Sequence, residues 1–148
     1  MALPTDQNGD GKISNMTIVS HIDDDLLFMN PDIRDAIRAG MEHSTVYITA
    51  GDAGRNDAYW HGREAGAKAA YAEMAGASDW IEETVTLAGG GANFQITTAY
   101  LASQPQVRLY FLRVPDGGGG DGFAAQGYES LQKLWRGDID TVGSTDGQ

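Results

Sequence analysis

The sequence predicts an α/β fold in which a mostly parallel sheet is flanked by helices and carries an antiparallel hairpin insertion. Residues 16–76 alternate strand-like and helix-like patterns twice, which is typical of parallel strands joined by helices. Residues 83–113 contain three strand-like runs with no room for helices between them, which is typical of antiparallel strands. Ligands bind beyond the carboxyl ends of the strands in open α/β sheets, so we expect a functional site at that edge.

The first predicted strand is a β-rich run at residues 16–19, which stops at the polar residue Ser20. A helix is predicted next. Asn30 can cap its start, Pro31 fits its first position, and Gly40 stands where a helix commonly ends. The predicted inner face of this helix consists of Ile33, Ala36 and Ile37.

Residues 45–49 predict a second strand, and residues 50–57 a loop rich in Gly and Asp. Residues 60–76 predict a second helix, because apolar side chains recur there at helical spacing. Its predicted inner face consists of Trp60, Ala67, Ala70, Tyr71 and Met74. Its predicted outer face consists of Arg63, Glu64, Lys68 and Glu73.

The second half predicts strands at residues 83–87, 94–101 and 107–113, the last of which returns to the main sheet. Their predicted turns are Gly89-Gly90-Gly91 and Gln104-Pro105. Residues 115–122 include five glycines and form a loop that we expect to border the site. Residues 128–134 predict a short helix.

Composition narrows the function classes of this 148-residue chain, which is long enough for one domain. Ten Lys and Arg against 21 Asp and Glu give a formal charge of −11, which argues against a nucleic-acid partner. Cysteine is absent, so any metal must be held by His and carboxylates. No run approaches the roughly 20 apolar residues of a membrane span. The N-terminus lacks signal-peptide features, and a mature exported form is the interpretation we prefer.

One imidazole and three carboxylates follow the first strand directly, at His21, Asp23, Asp24 and Asp25. Carboxylates placed so closely repel one another, and a shared cation would offset that cost. Imidazole together with carboxylate oxygen suits zinc, whereas an all-oxygen set would suit magnesium or calcium. The alternative interpretation is an acidic turn in which His21 only caps or packs.

This cluster resembles the His-Pro-Asp-Asp-Glu signature of the PIG-L/LmbE-like N-acetylglucosamine deacetylases, which follows the first strand of a Rossmann-like fold. Ile22 stands here in place of the proline, and Asp25 in place of the glutamate. Residues 48–55 resemble the family's strand and Gly-Asp loop, and residues 63–76 resemble its Arg-Glu helix. The likeness covers residues 16–76 in motif and residues 107–117 in general character.

The resemblance implies that His21 and Asp24 are zinc ligands and that Asp23 is the general base of an amide hydrolase. The implied substrate is an N-acetylglucosamine-type sugar, and the implied products are acetate and a free amine. The family takes a third ligand from a second histidine, and no such motif follows His61. His61 could approach the site, although a surface or capping role suits it better, whereas His43 lies just before the second strand, at the end of the sheet away from the site. A further C-terminal segment or a second chain could complete the site instead.

Other residues of the Gly-Asp loop and the following helix are predicted to bind the sugar or to support the site. These residues are Asp52, Arg55 and Arg63, with Asp25 as a further supporting contact. Ion pairing that braces the loop is an equal alternative for the arginines. Tyr59 and Trp60 could stack on a sugar ring, although Trp60 fits the helix's inner face better.

Residues 1–15 are predicted to form an N-terminal extension ahead of a domain at residues 16–148. The extension matches the first part of a calcium-binding loop, in which Asp6, Asn8 and Asp10 would supply oxygen ligands. The last position of such a loop falls on Thr17, where a bidentate acid is needed. A linker is therefore the alternative to Ca²⁺ binding.

The sequence is also compatible with two other functions. Magnesium-dependent phosphoryl transfer would use the acidic cluster, but it needs a partner lysine and an acceptor aspartate at other strand ends, and Lys12, Lys68 and Lys133 are poorly placed for it. A non-catalytic carbohydrate- or calcium-binding module could keep the deacetylase scaffold without activity. Retention of Asp23 argues against that module, because binding alone does not require a general base.

Overall fold

A computed structural model describes residues 13–147 of the chain. Its centre is one five-stranded sheet with the strand order β1-β2-β5-β4-β3. The β1–β2 and β2–β5 pairs are parallel, and the β5–β4 and β4–β3 pairs are antiparallel. The strands are β1 Ser14–Val19, β2 Glu42–Thr49, β3 Trp80–Gly89, β4 Ala92–Leu101 and β5 Gln104–Val114.

Within residues 13–147, four α-helices accompany the sheet: α1 Asp24–Phe28, α2 Asp32–Arg38, α3 Asp57–Ala75 and α4 Leu131–Arg136. The longest, α3, begins where the side chain of Asn56 accepts a hydrogen bond from the backbone N–H of Tyr59. It ends at Gly76, whose φ of 68° is the left-handed conformation that glycine adopts readily. None of the helices in the described part of the chain is both long and apolar enough to cross a bilayer.

The core lies between the sheet and the helices α2 and α3. Alternate residues of β2 and β5 are buried, as expected for strands with one face against the core. Tyr47 of β2 stacks on Phe111 of β5, with 5.4 Å between the ring centroids. The helices contribute Ile33, Ile37, Ala67 and Tyr71 to the same buried cluster.

The predicted α/β class is confirmed, since the core strands are parallel and flanked by helices and the β3–β4 hairpin is antiparallel. The last strand returns to the main sheet beside β2, as predicted. The predicted turn at Gln104-Pro105 is wrong: these residues begin β5, and Ala102 and Ser103 make the turn. Proline is tolerated at the start of a strand because few ladder hydrogen bonds are lost there.

Helix boundaries differ from the prediction at two points. The sequence did not predict α1, which has only five residues. Asn30, predicted to cap α2, instead donates its side-chain amide to the carbonyl of Leu26 at 3.1 Å and so caps the end of α1. The predicted inner face of α2 is buried, and Gly40, with φ of 73°, ends the helix region as expected.

Glu64 was predicted on the outer face of α3, and this is wrong. Its side chain is buried and accepts two hydrogen bonds from Arg113, at 2.8 and 2.9 Å. An arginine from β5 reaches this position, so the carboxylate is buried with a cation rather than exposed.

The predicted calcium loop at Asp6, Asn8 and Asp10 lies outside the described residues.

Candidate active site

The acidic cluster lies at the carboxyl end of β1, at the sheet edge predicted to hold the site. The carbonyl of Ser20 accepts hydrogen bonds from the N–H and the hydroxyl of Thr49, which ties the ends of β1 and β2 together. The chain then turns sharply, and Asp24 accepts a hydrogen bond from the backbone N–H of His21 at 3.0 Å. This turn brings the His21 ring to the carboxylate of Asp24.

Two carboxylates flank the imidazole of His21. Asp24 Oδ2 lies 3.7 Å from Nδ1, and Asp116 Oδ1 lies 3.8 Å from Nε2. Asp116 follows the end of β5, the neighbour of β2 in the sheet, so all three side chains meet at one edge. The His21 side chain is 42% exposed, which leaves it open to a ligand.

The donors at His21 and Asp24 are of the types that zinc accepts, imidazole nitrogen and carboxylate oxygen. Asp116 faces the opposite ring nitrogen, so it does not share the Nδ1 side of the ring with Asp24. Within residues 13–147, no group of three or more His, Cys, Asp or Glu side chains is placed to hold a metal ion. The described residues therefore fit zinc as two of the three protein ligands that a catalytic ion needs.

Asp23, the predicted general base, lies beside Arg63 of α3. Arg63 Nη2 donates to Asp23 Oδ1 at 2.9 Å, and the Asp23 side chain is 49% exposed. Arg63 also lies 3.4 Å from the carbonyls of Ile22 and Gly51. The predicted base is thus accessible to water and held by a cation that bridges two loops.

Gly51 allows this approach of Arg63. Its φ is 59°, and a Cβ atom there would lie 3.0 Å from the guanidinium carbon of Arg63. A larger residue would be strained by its backbone conformation and would also displace the arginine.

Asp25 is completely buried, unlike its three neighbours in the cluster. The hydroxyls of Tyr47 and Tyr71 donate to its Oδ2 at 2.8 and 2.7 Å. Burial raises the pKa of both tyrosines, and the charge of Asp25 adds to this effect. Both hydroxyls therefore stay protonated and act as donors. A direct contact between Asp25 and a substrate is incompatible with this burial.

Asp52 is also completely buried. It accepts hydrogen bonds from the backbone N–H of Gly54 at 2.9 Å and of Asp116 at 2.7 Å. The first bond shapes the Gly-Asp loop, and the second ties that loop to the Gly-rich loop after β5. Asp52 thus sits behind Asp116 rather than at the surface that a sugar would touch.

The remaining candidates are spread around this edge. Arg55 is exposed, with its guanidinium 4.5 Å from the ring centroid of Tyr59. Trp60 is 2% exposed and belongs to the core, which leaves it no surface for stacking on a sugar. His61 is exposed. Its ring centroid lies 3.7 Å from that of Trp60, and its Nδ1 lies 3.7 Å from Glu64 Oε2.

His43 lies at the amino end of β2, opposite Asn15 at the start of β1, and so far from the site along the strands. It is buried and contacts Thr45 Oγ1 at 2.9 Å. Burial lowers its pKa to about 4. Neither His43 nor His61 joins His21 and Asp24 in a metal-binding group.

Sequence reasoning did not single out Asp116, although it predicted that the loop at residues 115–122 borders the site. One signal could have found it: Asp116 comes two residues after the end of β5, which lies parallel to β2, so its carboxylate is expected at the same edge as His21.

The comparison with known protein families finds a match over most of the chain. The model of the PIG-L family, described as GlcNAc-PI de-N-acetylase, matches residues 16–137. The matched segment begins within β1 and ends just after α4. It contains His21 and the two carboxylates beside its ring, Asp24 and Asp116. No curated protein and no solved structure shows significant similarity to the chain.

Proposed function

Because the chain belongs to the PIG-L family of GlcNAc-PI de-N-acetylases, we propose that it is a zinc-dependent hydrolase that removes acetyl groups from N-acetylglucosamine-type substrates. The family implies a deacetylase-type hydrolase that acts on a sugar-type small molecule. The choice of zinc as the metal and of an acetylated amino sugar as the substrate goes beyond what the family match gives.

The arrangement of His21, Asp23 and Asp24 at the carboxyl end of β1 is the observation that carries this proposal. His21 Nδ1 and Asp24 Oδ2 lie 3.7 Å apart. Asp23, which lies between these two residues in the sequence, has a half-exposed carboxylate. Amide hydrolysis needs a place for a Lewis acid and a base that can reach the attacking water. These three residues supply both requirements.

We propose that His21 Nδ1 and Asp24 hold the zinc ion and that Asp116, at Nε2, orients the imidazole. A histidine that ligates a metal commonly donates its other ring N–H to a carboxylate, which fixes the tautomer and the ring. A zinc ion held there would supply Lewis acidity toward the acetyl carbonyl and toward water. A third ligand would come from outside the His21–Asp24 pair.

Asp23 is the proposed general base. It accepts a proton from the water that attacks the acetyl carbonyl, and it returns that proton to the amine nitrogen as the C–N bond breaks. The products are acetate and the free amino sugar. Arg63 keeps the Asp23 carboxylate in place during both proton transfers, because its contacts with the carbonyls of Gly51 and Ile22 anchor the guanidinium to the loops on either side.

Arg55 and Arg63 are the proposed contacts for the sugar hydroxyls, since both project from the loop and helix that follow β2. Asp25 and Asp52 have proposed supporting roles, because their side chains are buried. No described residue is proposed to bind nucleic acid or a membrane.

Zinc binding is the first test. We expect the wild-type chain to bind one zinc ion, measured by competition with a chromogenic chelator, and His21→Ala to lower the affinity by at least about 100-fold. His61→Ala is the matched control, because this histidine is also exposed and lies outside the pair. A wild-type chain that binds no zinc would refute the metal part of the proposal.

Turnover is the second test, measured as acetate released from N-acetylglucosamine by the zinc-loaded chain. Asp23→Asn should lower turnover by about 100-fold or more while zinc affinity stays unchanged. Asp35→Asn is the matched control, because Asp35 is also an exposed carboxylate paired with an arginine at 2.9 Å. Equal turnover in wild type and Asp23→Asn would show that Asp23 is not the base.

A non-catalytic carbohydrate-binding module is the second candidate. The observation that favours it is the lack of a three-ligand group within residues 13–147. It predicts that the wild-type chain binds the sugar without releasing acetate and that Asp23→Asn changes sugar affinity little.

A further inference from the structure

The short helix α1 carries Asp24 and follows Asp23, yet it has few means of holding its own position. A helix of five residues is too short to be stable without tertiary contacts. Asp23, at its N-cap, makes no side-chain capping hydrogen bond. Asp25 is the single fully buried residue of α1, beside the partly buried Leu26, so the position of the helix depends strongly on how the Asp25 side chain is held.

Asp25 is held by two tyrosines from different elements. Tyr47 comes from β2 and Tyr71 from α3, and both hydroxyls converge on Oδ2, while Oδ1 has no hydrogen-bond partner within the described chain. A buried carboxylate is tolerated only when it is hydrogen-bonded, so the two donors determine where Asp25 can lie.

Both tyrosines are fixed in turn by the core. Tyr47 is fully buried and stacks on Phe111. Tyr71 is fully buried, and its hydroxyl lies 2.6 Å from Thr45 Oγ1, which itself contacts His43. The carboxylate therefore meets two donors whose positions are set by the sheet and by the longest helix.

We propose that Tyr47 and Tyr71 are positioning residues for the active site, and that through Asp25 they fix α1 and thereby Asp23 and Asp24. This inference rests on the proposed function for its catalytic meaning. Neither tyrosine touches the reacting atoms. Their effect passes through one buried carboxylate to the two residues that precede it in the chain.

A role in stability alone does not account for this arrangement. Replacing a buried polar group together with its partners by apolar side chains of similar volume is often neutral or stabilising, so an apolar residue at position 25 with phenylalanine at positions 47 and 71 would serve the core as well. What an apolar residue lacks is direction, because hydrogen bonds to fixed donors define the rotation and depth of α1 more sharply than the apolar packing of Leu26 on the core does. Shifts of about 1 Å in a catalytic group can cost about 100-fold in rate.

Hydrogen–deuterium exchange tests the proposal directly. The N–H groups of Leu27 and Met29 donate to the carbonyls of Asp23 and Asp25, so their exchange rates report on α1. Tyr47→Phe removes the Tyr47 bond to Asp25, and Tyr47→Phe/Tyr71→Phe removes both bonds to Asp25 together with the Tyr71 contact to Thr45. We expect exchange at Leu27 and Met29 to rise about tenfold or more in the double variant, while exchange at Asp35 in α2 and at Ala39, which directly follows α2, stays unchanged.

Substitutions of Asp25 provide the conservative rescue. Asp25→Asn keeps an oxygen that can accept from both tyrosines, so exchange at α1 and zinc affinity should stay within about threefold of wild type. Asp25→Leu removes the acceptor and should lower zinc affinity by about 10- to 100-fold in a chain that still folds. Equal zinc affinities and exchange rates in these two variants would overturn the proposal.

Thr98→Val is the matched control for loss of a buried hydrogen bond. Thr98 is fully buried on β4, which β2 and β5 separate from β1 in the sheet, and it donates to the carbonyl of Leu109 at 2.9 Å. It should lower the midpoint of thermal unfolding about as much as Tyr47→Phe does, without changing exchange at Leu27 or Met29. If both variants leave α1 equally protected, the tyrosines have no positioning role.

The exchange readout separates this inference from the proposed function. A wild-type chain without zinc binding or acetate release would refute the proposed function, while exchange at Leu27 and Met29 would still decide whether the tyrosines fix α1. An active wild-type chain with unchanged exchange in the double variant would refute the inference alone.

Discussion

Arg63 shows how one side chain can connect three parts of the site. It donates to Asp23 at 2.9 Å and lies 3.4 Å from the carbonyls of Ile22 and Gly51. The Arg63 side chain is 22% exposed, so water screens its charge only in part. Its contacts therefore restrict the orientation of Asp23 more than an arginine on the open surface would.

Replacement of Arg63 should lower the rate of acetate release clearly while changing the free energy of unfolding little. We expect Arg63→Ala to reduce the rate of acetate release about tenfold, because Asp23 would lose its orienting partner, and Arg63→Lys to recover part of the loss. Arg34→Ala is the control, because it removes an exposed arginine from Asp35 at the same 2.9 Å distance. Equal rates in Arg63→Ala and Arg34→Ala would contradict a role for Arg63.

His43 predicts a pH dependence of stability. Burial lowers its pKa from 6.5 to about 4, so between these values the unfolded chain binds a proton that the folded chain does not. The free energy of unfolding therefore rises with pH through this range. The contribution of His43 is complete above pH 6.5 and is lost as the pH falls toward 4, by up to about 3 kcal/mol.

Urea unfolding at pH 7.5, 6.0 and 4.5 measures this effect. His43→Gln cannot titrate in this range, so its stability should fall less steeply with acidification than that of the wild type. His61→Gln replaces an exposed histidine and should keep the wild-type pH dependence. A His43→Gln curve parallel to that of the wild type would show that His43 does not titrate between the two states.

At the scale of elements, the sequence predicted those with a clear local signal. The strand β2 was predicted from its run of β-branched and aromatic residues, and the helix α3 from apolar side chains at helical spacing. The helix α1 was missed because five residues are too few to show a period. Its position depends on Asp25, whose partners Tyr47 and Tyr71 lie 22 and 46 residues away in the chain.

The loops of the site follow the same division. The sequence predicted which loops meet, because the carboxyl ends of parallel strands share one edge of a sheet. It could not predict that Asp52 is buried and accepts the N–H of Asp116, since that contact spans 64 positions. The choice between a sugar contact and a supporting contact for such a residue depends on its burial, which a loop sequence does not reveal.

At the scale of the whole molecule, Arg113 joins three distant segments. It forms two hydrogen bonds to Glu64 on α3 and one of 2.6 Å to Asp146, and its backbone carbonyl accepts from Thr145. Its guanidinium also lies 4.9 Å from the ring of Trp60. The last described residues are thereby fastened to the sheet and to α3 through one buried cation.

Removing the charge of Glu64 should destabilise the whole fold, because it leaves a buried arginine short of its main partner. We expect Glu64→Gln to lower the free energy of unfolding by about 3 kcal/mol, measured by urea denaturation at pH 7.5. Glu83→Gln is the control: Glu83 pairs with Arg108 at the same 2.9 Å, but in an exposed position, so its loss should cost less than about 1 kcal/mol. The difference arises from burial, because water replaces the lost partner at the surface and cannot do so between α3 and β5. Equal losses in the two variants would show that the Glu64–Arg113 pair is solvated and does not hold these segments together.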